Sequence, residues 1–100
     1  MRLPHLRKMY SVKEVIFSKS FRTSFRERIK PYPPLVKIFH QKLKLFIQDP
    51  SNPELYDHAL KDKFIGYRAF SIGYDLRVLY HENPKTIIFV DIGSHPQVYQ

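Results

Sequence analysis

Cysteine is absent from the 100 residues, which excludes disulfides, thiolate nucleophiles and Cys-ligated zinc. Tryptophan is absent as well, so eight Phe and seven Tyr must supply much of the core volume. No segment approaches the ~20 consecutive apolar residues that a membrane-spanning helix requires. The N-terminal segment carries Arg2, Arg7 and Lys8 but no apolar stretch of the secretory-signal kind. A cytoplasmic protein without a membrane partner is expected. Internal repeats and low-complexity tracts are also missing. Acidic residues are scarce: nine Asp and Glu against 17 Lys and Arg leave a net charge of +8. Such an excess on a small chain favours a polyanionic partner, with nucleic acid ahead of an acidic protein and a membrane surface last. A basic surface that serves solubility alone is the plainer alternative.

What is present suits one folded α+β domain over residues 12–100, preceded by a basic N-terminal extension over residues 1–11. A hydrophobic fraction of 43% argues against disorder, and a chain of this length rarely splits into two cores. Residues 12–17 are rich in β-branched side chains and read as a strand. Ser18 or Ser20 can cap a following helix in which Phe21, Phe25 and Ile29 recur at helical spacing. The Pro31-Tyr32-Pro33-Pro34 run ends it. A second helix from about Leu35 to Gln48 places Leu35, Ile38, Phe39, Leu43 and Phe46 on one stripe. Three strands follow, Tyr67–Ile72, Leu76–His81 and Thr86–Ile92, separated by turn-forming residues. The order β-α-α-β-β-β describes a helical hairpin packed on one face of a small, mainly antiparallel sheet.

If Gly73-Tyr74 is the two-residue turn, Ile72 pairs with Asp75 and Phe70 with Arg77. Alternation then puts Arg68, Phe70, Ile72, Asp75, Arg77 and Leu79 on one face, and Tyr67, Ala69, Ser71, Leu76, Val78 and Tyr80 on the other. The second set is the more apolar, so it is expected beneath the helices, leaving Arg68, Asp75 and Arg77 on the open face. In the tail, Pro96 fits the first turn of a short helix, where His95 and Tyr99 lie on one side. An imidazole beside a phenol at a strand end can handle protons or stack on a base.

Four segments in this order resemble the RelE/ParE superfamily of toxins from bacterial type II toxin–antitoxin systems, and within it the YafQ-like branch of ribosome-dependent mRNA interferases. They are Tyr56-Asp57-His58-Ala59-Leu60-Lys61, Gly66-Tyr67-Arg68, Asp75-Leu76-Arg77-Val78-Leu79-Tyr80 and Gly93-Ser94-His95-Pro96-Gln97-Val98-Tyr99. The resemblance spans roughly residues 12–99 and implies the RelE-like fold. It also implies an endoribonuclease that enters the ribosomal A site, contacts rRNA and cleaves mRNA by attack of the ribose 2′-OH, with no metal and no cofactor. By position, His58, Asp75 and His95 match acid/base residues, Arg77 an arginine set against phosphate, and Tyr99 an aromatic near the substrate. Arg68 and Ser71 fall among RNA-contacting positions. Ser71 stands where relatives usually carry histidine, and Leu76 where some carry tryptophan. A cognate antitoxin, acidic and partly disordered, is implied as partner.

Each residue has a plainer alternative. His95 can be a solvated loop histidine, His58 a turn cap, Asp75 a hairpin stabiliser or an ion-pair partner of Arg77, and Tyr99 a residue tucked against the sheet. Arg68 can have a cross-strand partner. Two other functions fit the same fold: a ParE-like inhibitor of DNA gyrase, and a catalytically weak homologue that only binds RNA or the ribosome.

Overall fold

The first strand, β1 (Glu14–Phe17), turns Val15 and Phe17 toward the core while Glu14 and Ile16 remain exposed. Residues 13–99 are described by the computed structural model; the basic segment 1–11 and Val12 lie outside the described residues. Ser18 caps the next helix, its hydroxyl accepting the Phe21 N–H at 3.1 Å. Helix α1 (Lys19–Arg28) carries Phe21 inward, and Ile29 at its C-cap is fully buried. Pro33 and Pro34 do not trail the first helix but begin the second, α2 (Pro33–Gln48). The first helical turn has no use for their missing N–H groups. Only a short segment therefore separates the helices.

After α2 come a 3₁₀ turn (Pro53–Leu55), a two-residue strand β2 (His58–Ala59) and a second 3₁₀ turn (Asp62–Phe64). Strands β3 (Arg68–Gly73), β4 (Leu76–Glu82) and β5 (Thr86–Ser94) and the single-turn helix α3 (His95–Val98) complete the described residues. The five strands lie in the order β1-β5-β4-β3-β2. The β1–β5 pairing is parallel and every other pairing antiparallel. The protein is thus α+β, three helices packed on a mixed five-stranded sheet. Strand β2 escapes sequence inspection because two residues show no alternation.

An aromatic layer joins the helices to the sheet. Phe46 stacks on Phe70 with ring centroids 4.5 Å apart and meets Tyr80 edge-on at 5.1 Å, while Phe21 meets Phe89 edge-on at 5.5 Å. An extra residue on β5 near Val90 shifts the register against β4, so Phe89 and Ile92 both reach this core. The opposite face is thin. Ala69, Leu79 and Val98 are buried there, with Leu60, Phe64, Val90 and Tyr99 packed around them.

The hairpin register differs by one residue from that expected. Gly73 pairs with Leu76, so the two-residue turn is Tyr74-Asp75, both with positive φ (53° and 61°), as a type I′ turn requires. Ser71 pairs with Arg77 and Phe70 with Val78, with a bulge between Ser71 and Gly73. The faces expected for β4 stand: Leu76, Val78 and Tyr80 lie beneath the helices. Those of β3 are exchanged. Phe70 and Ile72 are core residues on the helix side, Arg68 points the same way, and Ala69 and Ser71 share the open face with Arg77.

Candidate active site

Sheet pairing sets the first wall of the site. His58 pairs with Ala69, which places its imidazole on the thin face. The chain then loops through Lys61, Asp62 and Phe64 before rejoining β3, with the Leu60 N–H donating to the Tyr67 carbonyl at 3.0 Å. The second wall is the tail. Ser94 caps α3, and its N–H donates to Gln97 Oε1 at 2.8 Å, a capping-box bond that sets the direction of the turn carrying His95. Gly93 leaves room just before it for two side-chain ends. A Cβ there would lie 2.7 Å from Gln97 Oε1 and 2.8 Å from Arg28 Nη1.

Between these walls lies an open cleft lined by His58, Leu60, Lys61, Asp62, Phe64, Arg77, His95 and Tyr99. His95 is exposed, and its ring lies 4.5 Å from that of Tyr99. Tyr99 is held in turn by an edge contact with Phe64 at 5.7 Å. Burial raises the Tyr99 phenol above its ordinary pKa, and the nearby Arg77 charge opposes that rise. The phenol is therefore neutral and serves as a ring surface or a hydroxyl donor. His58 Nδ1 sits 2.8 Å from the Tyr56 carbonyl. A carbonyl only accepts, so Nδ1 carries the proton, and a neutral His58 ring presents Nε2 as a free acceptor.

Of the seven residues singled out in the sequence, four meet in this cleft: His58, Arg77, His95 and Tyr99. Asp75 does not line it. It sits in the exposed turn, 3.8 Å from Arg77 Nη2. Ser71 lies across from Arg77 on β3, and its hydroxyl accepts the Gly73 N–H at 3.2 Å. Arg68 lies on the other side of the sheet, donating to Asp57 Oδ1 at 2.9 Å and to Tyr80 Oη at 3.2 Å. Its expected open-face position fails because the turn falls one residue later. Lys61 was not singled out, although it belongs to the cleft and adds a second cation beside Arg77. Only the loop geometry brings it there. Among the described residues, no group of three His, Asp or Glu side chains is arranged to hold a metal ion, and no helix is long and apolar enough to cross a membrane.

Residues 13–100 match the family described as "Bacterial toxin of type II toxin-antitoxin system, YafQ". No curated protein sequence matches the chain. Among solved structures, YafQ from E. coli superposes with a TM-score of 0.75 at 19% identity, covering 88% of this chain and 99% of that one. The E. coli DinJ-YafQ toxin-antitoxin complex matches at 0.73 and 18% identity over 89% of this chain and 99% of that one. A metal-bound toxin from Helicobacter pylori matches at 0.69 and 25% identity over 86% and 98%. The aromatic layer, the five-strand order and the cleft thus sit on a RelE-like toxin fold, and the chain belongs to the YafQ family of bacterial toxins of type II toxin–antitoxin systems.

Proposed function

We propose that the protein is an mRNA endoribonuclease that acts on the ribosome in the cytoplasm. The observation that carries this reading is the convergence of His58, Arg77, His95 and Tyr99 on one solvent-open cleft. His58 Nε2, free because Nδ1 is engaged by the Tyr56 carbonyl, takes the proton from the ribose 2′-OH. The 2′-oxygen attacks the adjacent phosphorus, and the bond to the 5′-oxygen breaks. His95 protonates that oxygen, giving a 2′,3′-cyclic phosphate and a free 5′-hydroxyl. Arg77 and Lys61 offset the charge gained at phosphorus, and the Tyr99 ring supports a base. No step calls for a cofactor or a metal ion.

The cleft has no outer wall, and Asp75 and Ser71 stand outside it. A reactive alignment of the RNA must then be supplied from elsewhere, which is the role given to the ribosomal A site, with rRNA phosphates held by the basic surface. The partner that restrains the toxin is a cognate antitoxin of acidic character, in keeping with the +8 charge and with the DinJ-YafQ complex.

The test is His95→Ala and Arg77→Ala, assayed by primer extension on mRNA in a translating extract. Each should lower cleavage by about 10²–10⁴-fold with little change in melting temperature, because both side chains lie outside the aromatic core. Wild-type cleavage by His95→Ala would overturn the proposal, and gyrase inhibition without cleavage would redirect it to a ParE-like activity.

A further inference from the structure

We infer that Asp57, clamped by Tyr80 and Arg68 on the helix side of the sheet, is a positioning residue that holds His58 in the cleft on the opposite side; the inference rests on the nuclease reading. Strand β2 has two residues, pairing His58 with Ala69 and Ala59 with Arg68. So short an edge strand cannot orient a side chain by its ladder alone. Reinforcement comes from the preceding residue. The Asp57 side chain is only 7% exposed; its carboxylate accepts the Tyr80 hydroxyl on one oxygen and Arg68 Nε on the other at 2.9 Å. Arg68 Nε also reaches Tyr80 Oη at 3.2 Å, closing a three-membered cluster.

The cluster lies where it can control His58. Consecutive residues of an extended chain point to opposite faces, so anchoring Asp57 beneath the sheet turns His58 above it. On the other flank is Tyr56, held in the left-handed region at φ 51°, whose carbonyl fixes the His58 tautomer. Arg68 closes the loop a second way, since its backbone pairs with Ala59 while its guanidinium holds Asp57. A carboxylate so nearly enclosed and fully partnered is not a proton-transfer group for RNA in the cleft. Its reach to the chemistry runs through the backbone of residues 56–58.

The test is a mutant cycle with a readout independent of RNA cutting. Tyr80→Phe removes one hydroxyl and keeps the ring in the core; Asp57→Asn removes the charge. Each should lower cleavage about tenfold to a hundredfold, the scale of a displaced catalytic group. In a His58→Ala background the same changes should add little further loss. In ¹⁵N-imidazole NMR of the free toxin, at a pH where the ring is neutral, His58 should be the Nδ1–H tautomer in the wild type. It should become a tautomer mixture in either variant. Equal losses with and without His58, or an unaltered tautomer in both variants, would overturn the positioning role. Tyr80→Phe serves if Asp57→Asn fails to fold. If the wild type cuts no RNA, the NMR arm still decides the positioning claim by itself.

Discussion

Gly93→Ala tests the packing behind the His95 turn. The added methyl would meet Gln97 Oε1 at 2.7 Å and Arg28 Nη1 at 2.8 Å, well inside ordinary contact. Both atoms end flexible side chains and can swing aside, while Gln97 Cβ at 3.1 Å needs to give by only a few tenths of an ångström, so the main cost appears as lost hydrogen bonds. Displacing Gln97 breaks its 2.8 Å bond from the Ser94 N–H, a net loss of about 1 kcal/mol. Displacing Arg28 weakens its bonds to the Ile92 carbonyl at 3.0 Å and to Asp91 Oδ1 at 3.2 Å, about 1–2 kcal/mol more. Asp91 keeps Ser24 Oγ at 2.6 Å and the Ile92 N–H at 2.9 Å, so its carboxylate is not stranded. Against this, replacing glycine reduces unfolded-chain entropy by roughly 0.4–1 kcal/mol. The net destabilisation is about 1–2 kcal/mol, or a Tm about 5–15 °C lower for a domain of this size. Thermal melts followed by circular dichroism measure it, and Gln97→Ala or Arg28→Ala should each cost less in the Gly93→Ala background than alone, because the bonds each removes are already broken or weakened there. A Gly93→Ala protein that melts with the wild type and cleaves normally would refute this account.

Phe46→Ala should cost about 3–5 kcal/mol, because its ring is 1% exposed and touches Phe70, Tyr80 and Phe89; a loss under about 1 kcal/mol in denaturant titration would contradict the aromatic layer. Tyr74→Asn should raise stability by about 0.5–1 kcal/mol, since Tyr74 is 75% exposed and held at φ 53°, where asparagine is better tolerated; an unchanged or lower Tm would speak against it. Burial, with the hydrogen bond to Asp57, pushes the Tyr80 phenol well above its ordinary value. The sign follows from linkage: below about pH 10 both states are protonated, and above it the unfolded chain ionises first, so stability falls with rising pH. Tyr80→Phe should make that alkaline decline shallower in melts taken between about pH 9 and 11, and an identical slope would argue against the buried phenol.

Element order and the short His95–Tyr99 turn were legible because their signals are local. Phe21, Phe25 and Ile29 repeat at helical spacing, and Pro96 beside His95 marks a short turn. The four cleft residues were named through the family resemblance, and three of them, Arg77, His95 and Tyr99, sit on β4 and the tail, whose faces do not depend on the β3 register. Arg68 did depend on it. Placing the turn at Gly73-Tyr74 instead of Tyr74-Asp75 sent Arg68 to the wrong side and hid its neighbour, since Arg68 pairs with Tyr80 only in the true register. The Asp57 cluster was lost through the same slip. Glycine drew the turn toward itself, yet here Gly73 is the paired strand residue that follows the bulge, at φ 97°, while a tyrosine takes the costlier left-handed position. No local rule anticipates that exchange, which is settled by burying Ile72 and Leu76 together in the core.

The unequal thickness of the two sheet faces bears on how this chain can change over generations. The helix side concentrates fully enclosed rings, whereas the cleft side rests on Ala69, Leu79, Val98 and a few half-covered neighbours. The cohesion of the fold and the lining of the cleft therefore draw on largely separate sets of side chains. On the proposed nuclease reading, a single exposed replacement at position 95 disarms the protein while leaving it intact, whereas truncating the ring at position 46 removes a large share of its stability. Clones that survive forced expression should accordingly fall into two groups, soluble protein altered around the cleft and absent protein altered in the aromatic layer.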